Sequence, residues 1–283
     1  LLLSFSLVYS QTSSLKLPTS NNSSNFSVLN SSNSNLFTVL GDSTVGINQA
    51  SPNATVEIGG LNGLLVTGTY NSGTALSLGA GTRMHWYPKK AAFRVGQIGG
   101  TQWDDANIGA YSFAAGANAT ASGNYSIALG SGPIASGDYS FANGYGSTAS
   151  GAISFATGDI TTASGIHSFA NGFHATASGN VSFASGYYVS TNSNAGAFIL
   201  GDNSTTTTTN NTATNQMMMR FAGGYILYTN LGISTGVQLS AGGSSWSTIS
   251  DSTKKEKYKK ADGEYFLKSI SKLKLGSWNY KVQ

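Results

Sequence analysis

A group of aromatic and cationic side chains in the first half of the chain could bind a carbohydrate or an anion. Sites of this kind combine aromatic walls with a few placed polar or charged groups. The members of the group are His85, Trp86, Tyr87, Lys89, Lys90 and Arg94. In β-rich proteins the same residue types more often serve packing and solubility. We therefore favour a packing role and keep the binding site as the alternative.

Two further groups could hold a metal ion. Asp104 and Asp105 follow Trp103 and resemble the acidic pair of a calcium site, and His167 and His174 lie seven residues apart. Two His side chains without a third ligand make a poor metal site, and we interpret the acidic pair as a cap or turn. The chain has no Cys, which excludes disulfides, zinc-thiolate sites and Cys nucleophiles. We expect neither a metal nor a cofactor.

The elements around these groups are set by a 14-residue repeat between Ala110 and Gly179. Its five copies are AYSFAAGANATASG, NYSIALGSGPIASG, DYSFANGYGSTASG, AISFATGDITTASG and IHSFANGFHATASG, and a sixth, degenerate copy starts at Asn180. Ser, then Phe or Ile, then Gly keep the same columns in every copy, and a second Gly closes each of the five full copies. Self-similarity at a fixed period indicates units that stack on one another.

Each copy fits one turn of a β-solenoid or β-roll, with two short strands and two Gly-marked corners. Within Tyr111-Ser112-Phe113-Ala114 the side chains alternate, so large rings face one side and small groups the other. A turn this narrow encloses little core. Stacking along the axis and association of identical chains would shelter the Phe column. The fold class predicted is therefore all-β, a stacked-repeat roll, with a short α+β element at the C-terminus.

Composition and charge support a secreted β-protein and exclude a nucleic-acid-binding groove in the repeats. Charged residues make up 9% of the chain, which has 36 Gly. The formal charge of +4 comes from residues 250–283, which hold nine Lys against four acidic side chains. The repeat body is nearly neutral, so we expect no nucleic acid as partner.

The chain divides by composition into seven segments. Residues 1–10 (LLLSFSLVYS) are similar to the apolar part of a secretory signal peptide, and no other stretch approaches the ~20 apolar residues of a membrane span. We expect a secreted or cell-surface protein. The remaining segments are a flexible Ser/Asn-rich stretch (11–35), a β-rich stalk or N-terminal domain (36–109), the repeats (110–202), a Thr/Asn linker (203–216), a β stalk (217–249) with strands on both sides of Gly223-Gly224, and a C-terminal element interrupted at Gln283 (250–283).

The repeat xYSFAxGxxATASG resembles the head repeats of trimeric autotransporter adhesins, the YadA-like left-handed β-roll. The resemblance covers about Ala110 to Asn192. It implies a homotrimer in which three rolls pack side by side. The membrane β-barrel anchor of those adhesins does not follow the repeats here.

Residues Ser245 to Lys255 resemble the start of the endosialidase-type intramolecular chaperone, a self-cleaving domain of phage tail spikes and tail fibres. That family opens on a Ser-Asp pair with a Lys five residues after the Ser, matched here by Ser250, Asp251 and Lys255. The resemblance implies a domain that assists the folding of the trimer and then cleaves itself off. It also implies a Ser nucleophile activated by a Lys base, with Asp251 supporting, and a scissile Ile249–Ser250 bond. The chain departs from the family at Ser252, Thr253 and Lys254.

Three functions follow from these patterns. The first is a secreted, trimeric, fibre- or adhesin-like structural protein, whose partners are its own copies and a surface glycan or host-cell receptor. The second is a serine endopeptidase that acts only on its own chain at Ser250. The third is a phage-type spike that binds or depolymerises glycans, which needs paired carboxylates, whereas the repeats offer only Asp138 and Asp159.

Overall fold

The computed structural model describes residues 25–59, 63–249, 259–273 and 276. The chain divides into two compact units, with the boundary between Thr69 and Tyr70. In the first unit, four strands form one sheet in chain order, with β1 and β2 antiparallel, β2 and β3 antiparallel, and β3 and β4 parallel. These strands are β1 Asn25–Leu29, β2 Asn35–Leu40, β3 Val45–Ile47 and β4 Val56–Ile58.

Most of the second unit is a β-solenoid built from two sheets. Its strands are, in chain order, β5 Gly81–Tyr87, β6 Ala92–Ile98, β7 Phe113–Ala117, β8 Thr120–Ala121, β9 Ile127–Ser131, β10 Ile134–Ala135, β11 Phe141–Tyr145, β12 Thr148–Ala149, β13 Phe155–Asp159, β14 Thr162–Ala163, β15 Phe169–Phe173, β16 Thr176–Ala177, β17 Phe183–Tyr187, β18 Val189–Ser190, β19 Phe198–Gly201, β20 Thr209–Asn210 and β21 Met217–Arg220. Two 3-10 helices, Pro88–Lys90 and Asp105–Asn107, lie near its start. The predicted all-β stacked-repeat roll is confirmed.

The 14-residue period becomes the spacing of parallel strands. A large sheet of ten strands takes β5, β6, β7 and then every second strand to β21, and a small sheet of seven takes the two-residue strands from β8 to β20. Equivalent residues pair directly, as Phe155 does with Phe169 and Gly158 with Gly172. Equivalent residues of successive copies are thus neighbours in the sheet without a register shift. Each repeat position forms a straight column along the roll.

The interior of the roll is filled almost entirely by Ala. The small residue after each Phe or Ile and the Ala before each closing Ser-Gly are completely buried, for example Ala142, Ala149, Ala156 and Ala163. Because the two sheets are separated only by these short side chains, the roll is thin. The buried area of the core therefore increases with the number of stacked turns and not with the thickness of the roll.

Two Gly columns let successive turns approach closely. A Cβ added at Gly144 or Gly158 would overlap the carbonyl oxygen of the equivalent Gly in the next turn, and the same holds at the closing Gly151 and Gly165. The first of these columns also has φ between +108° and +123°, a region that L side chains rarely adopt. Gly is required in both columns by contact between backbones.

The two ends of the solenoid are closed by Arg side chains. Arg94, fully buried, occupies the position of the Ala column beside Ala114. Its guanidinium donates to the Ser112 and Ala121 carbonyl oxygens, both at 2.9 Å, and to the Ser112 hydroxyl at 2.7 Å. At the other end, Arg220 donates to the Thr209 hydroxyl at 2.8 Å and the Tyr187 carbonyl at 2.8 Å. At each end a guanidinium therefore binds several oxygen atoms of the adjoining turns and fixes the last strands of the roll.

The roll extends further than residues 110–202 at both ends. β20 lies inside the expected linker 203–216 and pairs with β18, because Thr209 and Asn210 complete the small sheet as an extra turn. β21 pairs with β19 in the large sheet. The two strands expected on either side of Gly223-Gly224 consequently belong to different sheets and do not form a hairpin.

After the roll, an antiparallel sheet and one short helix follow. The sheet consists of β22 Gly224–Tyr228, β23 Gly236–Ser240 and β24 Ser247–Ile249. The helix, α1 Gly263–Ile270, begins at Asp262, whose carboxylate accepts from the Glu264 and Tyr265 backbone N–H groups. This matches the start expected at Asp262-Gly263. The strand expected at Trp278, Tyr280 and Val282 lies outside the described residues.

Candidate interaction surface

The outer face of the large sheet carries one uninterrupted apolar column. Its members are Phe93, Phe113, Ile127, Phe141, Phe155, Phe169, Phe183, Phe198 and Met217, paired strand to strand. We call this column the Phe ladder. Neighbouring rings stack with centroid distances between 4.3 and 5.7 Å and interplanar angles of 12° or less.

The stacked rings are not fully buried in the single chain. Strand spacing in a parallel sheet places identical side chains about 4.8 Å apart, so each ring shields the faces of its neighbours and leaves its edge free. Ile127, which interrupts the rings, is 37% exposed. Leu129, Leu200 and Met219 lie two residues further along the same face. An exposed apolar strip of this length indicates an interaction surface.

A second aromatic column runs along the corner that precedes the large sheet. Tyr70, Tyr111, Tyr125 and Tyr139 stack at centroid distances of 5.1, 4.8 and 4.8 Å. Hydrogen bonding to Tyr70 raises the pKa of Tyr111 to about 12. Because stacking covers the ring faces, this column offers only edges and hydroxyl groups to a ligand.

The opposite corner carries exposed Tyr145 in the third copy, and its aromatic side chains stack on one another only toward the C-terminal end of the roll. Phe173 stacks on Tyr187 at 4.9 Å, and His174 stacks on Tyr188 at 4.7 Å. His167 lies at the first corner and His174 at the second, at opposite ends of β15. The two imidazoles therefore do not share a site, and no group of three or more metal-binding side chains occurs among the described residues.

The aromatic and cationic group near the start of the roll is structural. Tyr87 is buried, and its hydroxyl donates to the Asp105 carboxylate. Lys89 and Lys90 lie 3.6 and 3.7 Å from the same carboxylate. With Arg94 inside the end of the roll, these cations are paired or buried. The group supports the packing interpretation and not the carbohydrate or anion site.

Trp103, Asp104 and Asp105 form the cap or turn that the sequence suggests. Trp103 is fully buried, and its indole N–H donates to the Ala119 carbonyl at 2.9 Å. The Asp104 carboxylate accepts from the Leu78 backbone N–H at 3.0 Å. Hydrogen bonding by Tyr87 is the main cause that lowers the pKa of Asp105. The two carboxylates thus bind donors of the surrounding protein segments.

The carboxylates required for glycan cleavage are not brought together. Asp138 lies in a turn before β11, where its carboxylate accepts from the Asn124 backbone N–H at 2.9 Å. Asp159 is the last residue of β13. The two residues lie at opposite ends of the five-residue strands, which removes the paired-carboxylate geometry from the repeats.

The residues expected to carry self-cleavage, Ser250, Asp251 and Lys255, lie outside the described residues. Ile249, on the other side of the expected scissile bond, ends β24 and is half-buried. No helix among the described residues is long and apolar enough to cross a membrane.

Sequence reasoning missed the two terminal Arg residues. Arg94 could have been found, because Phe93-Arg94-Val95-Gly96 keeps the Phe-x-x-Gly spacing of Phe113 to Gly116. A charged residue in the Ala column of that match marks the end of the roll. Arg220 follows three Met residues and has no such signal.

Comparison with known proteins identifies the repeats. No curated protein matches the chain. Residues 108–132, 135–159 and 163–188 match the family described as YadA head domain repeat (2 copies). These segments coincide with the central turns of the solenoid, from the turn before β7 to the residue after β17. The solenoid of this chain therefore contains YadA head domain repeats.

Proposed function

We propose that the chain is a homotrimeric, adhesin-like surface protein, in which three solenoids pack side by side with their Phe ladders inward. The observation that carries the proposal is the Phe ladder itself. It runs from β6 to β21 and stays partly exposed in the single chain, and further apolar side chains lie beside it at Leu129, Leu200 and Met219.

The physical argument is the free energy of exposed apolar surface. Full burial of a Phe side chain stabilises by about 1.5–3 kcal/mol, and the ladder contains seven Phe rings in register. Within one chain the core is filled by Ala, so no internal position is left for these rings. Identical chains offer an equally long, straight and apolar column, and cyclic symmetry matches the columns along their whole length.

The YadA head repeats favour three copies in the assembly and a place outside the cell. The partly exposed Phe ladder supports association of the chains by itself. The YadA head repeats support the number of three chains and the location of the protein at the cell surface. In this proposal the rigid stack of turns holds the surrounding segments away from the cell and displays the outer faces of the roll.

The mass of the full chain in solution tests the proposal. Sedimentation equilibrium at micromolar concentration should give three times the chain mass, and Phe169→Asp should lower the mass toward one copy. Ile134→Asp, on the outer face of the small sheet, is the control and should leave the assembly intact. A parent chain that sediments as a folded monomer would overturn the proposal.

We also propose, as a separate activity, that the chain cleaves itself at the Ile249–Ser250 bond. The support is the Ser250, Asp251 and Lys255 pattern and the adjacent helix α1, whose apolar side chains Tyr265, Phe266, Leu267 and Ile270 are exposed. Such a face suits a domain that packs in an assembly. The Ser250 hydroxyl would attack the Ile249 carbonyl carbon, neutral Lys255 would take the hydroxyl proton, and the Ser250 amine would leave. Water would then hydrolyse the ester.

Intact mass measurement tests cleavage directly. We expect fragments that end at Ile249 and begin at Ser250, and we expect Ser250→Ala to abolish both. Lys255→Met should do the same, while Lys260→Met should not. An uncleaved parent chain would refute the activity without affecting the trimer.

A further inference from the structure

The two corners that flank the large sheet have side chains of complementary size. The first corner lies two residues before the Phe ladder and the second lies five residues after it. Where one corner carries Tyr the other carries Asn, Gly or Val, whereas the fourth and fifth turns carry the same residue, first Ile and then His, at both corners. From the N-terminal turn onward, the pairs are Tyr111 and Asn118, Tyr125 and Gly132, Tyr139 and Gly146, Ile153 and Ile160, His167 and His174, and Val181 and Tyr188.

Packing within one chain does not account for this relationship. The two residues of a pair lie at opposite ends of a five-residue strand, roughly 20 Å apart at ~3.3 Å per residue. They cannot touch each other. A size match between residues at that separation requires a neighbour that brings the first corner of one molecule against the second corner of another.

Backbone conformation does not account for it either. All six residues of the first corner have φ between +55° and +58°, although none is Gly. At the second corner, Ile160, His174 and Tyr188 have φ between +50° and +52°, close to the φ of +59° at Gly146. Left-handed φ is unfavourable for side chains, most of all for branched ones. Ile153, Ile160 and Val181 nevertheless occupy such positions, so a further constraint selects the residue at each corner.

The single chain has room for a side chain where Gly stands at the second corner. A Cβ at Gly132 would come no closer than 4.0 Å to the Gly146 backbone nitrogen, and one at Gly146 would lie 3.7 Å from the Ile160 side chain. These are ordinary contacts, unlike those of the two Gly columns inside the roll. The small size at Gly132 and Gly146 leaves an open slot on the outer surface.

The large residues opposite these slots are exposed. Tyr125 and Tyr139 are 47% and 59% exposed, and Val181, which pairs with the large Tyr188, is 68% exposed. We propose that the first corner of one chain packs against the second corner of the next chain at the same turn. Tyr125 and Tyr139 enter the slots at Gly132 and Gly146 of the neighbour, and Tyr188 covers Val181 further along. This inference rests on the proposed trimer and gives it an interface and a register.

Cyclic symmetry explains why the match lies within a turn. Three rolls whose large sheets face a common axis form a triangular tube, and different corners of adjacent chains meet at each edge. An axis parallel to the rolls keeps equivalent turns at the same height. The symmetry therefore sets the axial register, and the residue sizes indicate which two corners meet.

Cysteine pairs test the contact in a chain that has no Cys of its own. Tyr125→Cys with Gly132→Cys should give covalent trimers on oxidation, because a disulfide needs Cα atoms within about 7 Å. Tyr125→Cys with Ile160→Cys, two turns away, is the control and should remain uncross-linked. If the parent is a trimer and the first pair does not cross-link, the inference is wrong and the trimer stands. A monomeric parent chain would contradict both the corner contact and the trimer.

A size swap provides an independent readout. Gly132→Tyr should weaken trimer association by about tenfold or more through overpacking, and adding Tyr125→Gly should restore much of it. Gly242→Tyr is the matched control, since Gly242 also has positive φ and no neighbour within 4 Å. Circular dichroism reports whether the roll remains folded. Equal association of Gly132→Tyr and the parent would contradict the corner contact.

Discussion

The carbonyl oxygen of Gly158 occupies the place where a side chain on Gly144 would begin. The two residues are paired across β11 and β13, fourteen positions apart. Since the same overlap recurs along the column, the distance between turns is set by backbone contact and not by the bulk of side chains.

Substitution of Gly144 should therefore be among the most damaging changes in the roll. Gly144→Ala combines a steric overlap with positive φ, and we expect a loss of about 3 kcal/mol in the free energy of unfolding. Thermal or denaturant unfolding followed by circular dichroism measures it. Gly132→Ala is the matched control, because its φ is also positive but the site is open; it should cost about 1 kcal/mol. Similar losses for both would contradict the role of turn-to-turn contact.

Much of the solenoid could be predicted from the sequence because the same residue types recur at the same positions of every turn. Phe113, Ala114 and Gly116 recur in register, so alternation and stacking follow from strand geometry. The ends could not be predicted in this way. There the period lengthens, as from Phe198 to Met217, and β20 is built from a Thr/Asn tract whose composition is typical of a linker. Its strand exists because the preceding turn offers an unpaired edge.

The candidate surface was predictable in part. The sheltered Phe column follows from alternation, and its ring stacking follows from direct pairing of Phe155 with Phe169. The left-handed corners at Tyr125 and Gly132 were not predictable, because Tyr and Ile rarely adopt positive φ and no local motif marks them. The sites of self-cleavage rest on resemblance and remain predictions.

Loss of Arg94 should open the N-terminal end of the roll. Arg94→Met removes the guanidinium hydrogen bonds to Ser112 and Ala121 and leaves their carbonyl oxygens with only the Phe93 and Gly109 backbone N–H donors. We therefore expect a loss of about 2 kcal/mol. Burial lowers the pKa of Arg94 to about 10, which reflects how completely it is withdrawn from water. Hydrogen–deuterium exchange should accelerate first in β6 and β7. Lys268→Met, which removes one exposed positive charge, should change nothing; unaltered exchange in Arg94→Met would refute the capping role.

Alkaline pH should loosen the same end through Tyr87. Burial raises the pKa of Tyr87 to about 12, and its hydrogen bond to Asp105 adds to the effect. The folded chain keeps the phenol proton where the unfolded chain, with an ordinary Tyr pKa of about 10, has lost it. Stability should thus be intact below pH 10 and fall as the pH rises toward 12. Denaturant unfolding at several pH values should show a shallower fall for Tyr87→Phe than for the parent. Tyr228→Phe, an exposed ring, should follow the parent; a Tyr87→Phe slope equal to the parent's would be evidence against this assignment.

The accessibility of the Phe ladder in solution tests the account most directly. A single thiol can be introduced as Phe155→Cys or, on the outer face of the small sheet, as Ile134→Cys, and its reaction with a polar thiol reagent can be timed in the folded and denatured chain. We predict that the thiol at position 155 reacts far more slowly than the one at 134 when folded, and that the two rates converge in denaturant. Equal, fast rates in the folded protein would mean that the rings face water and that no sister chain covers them.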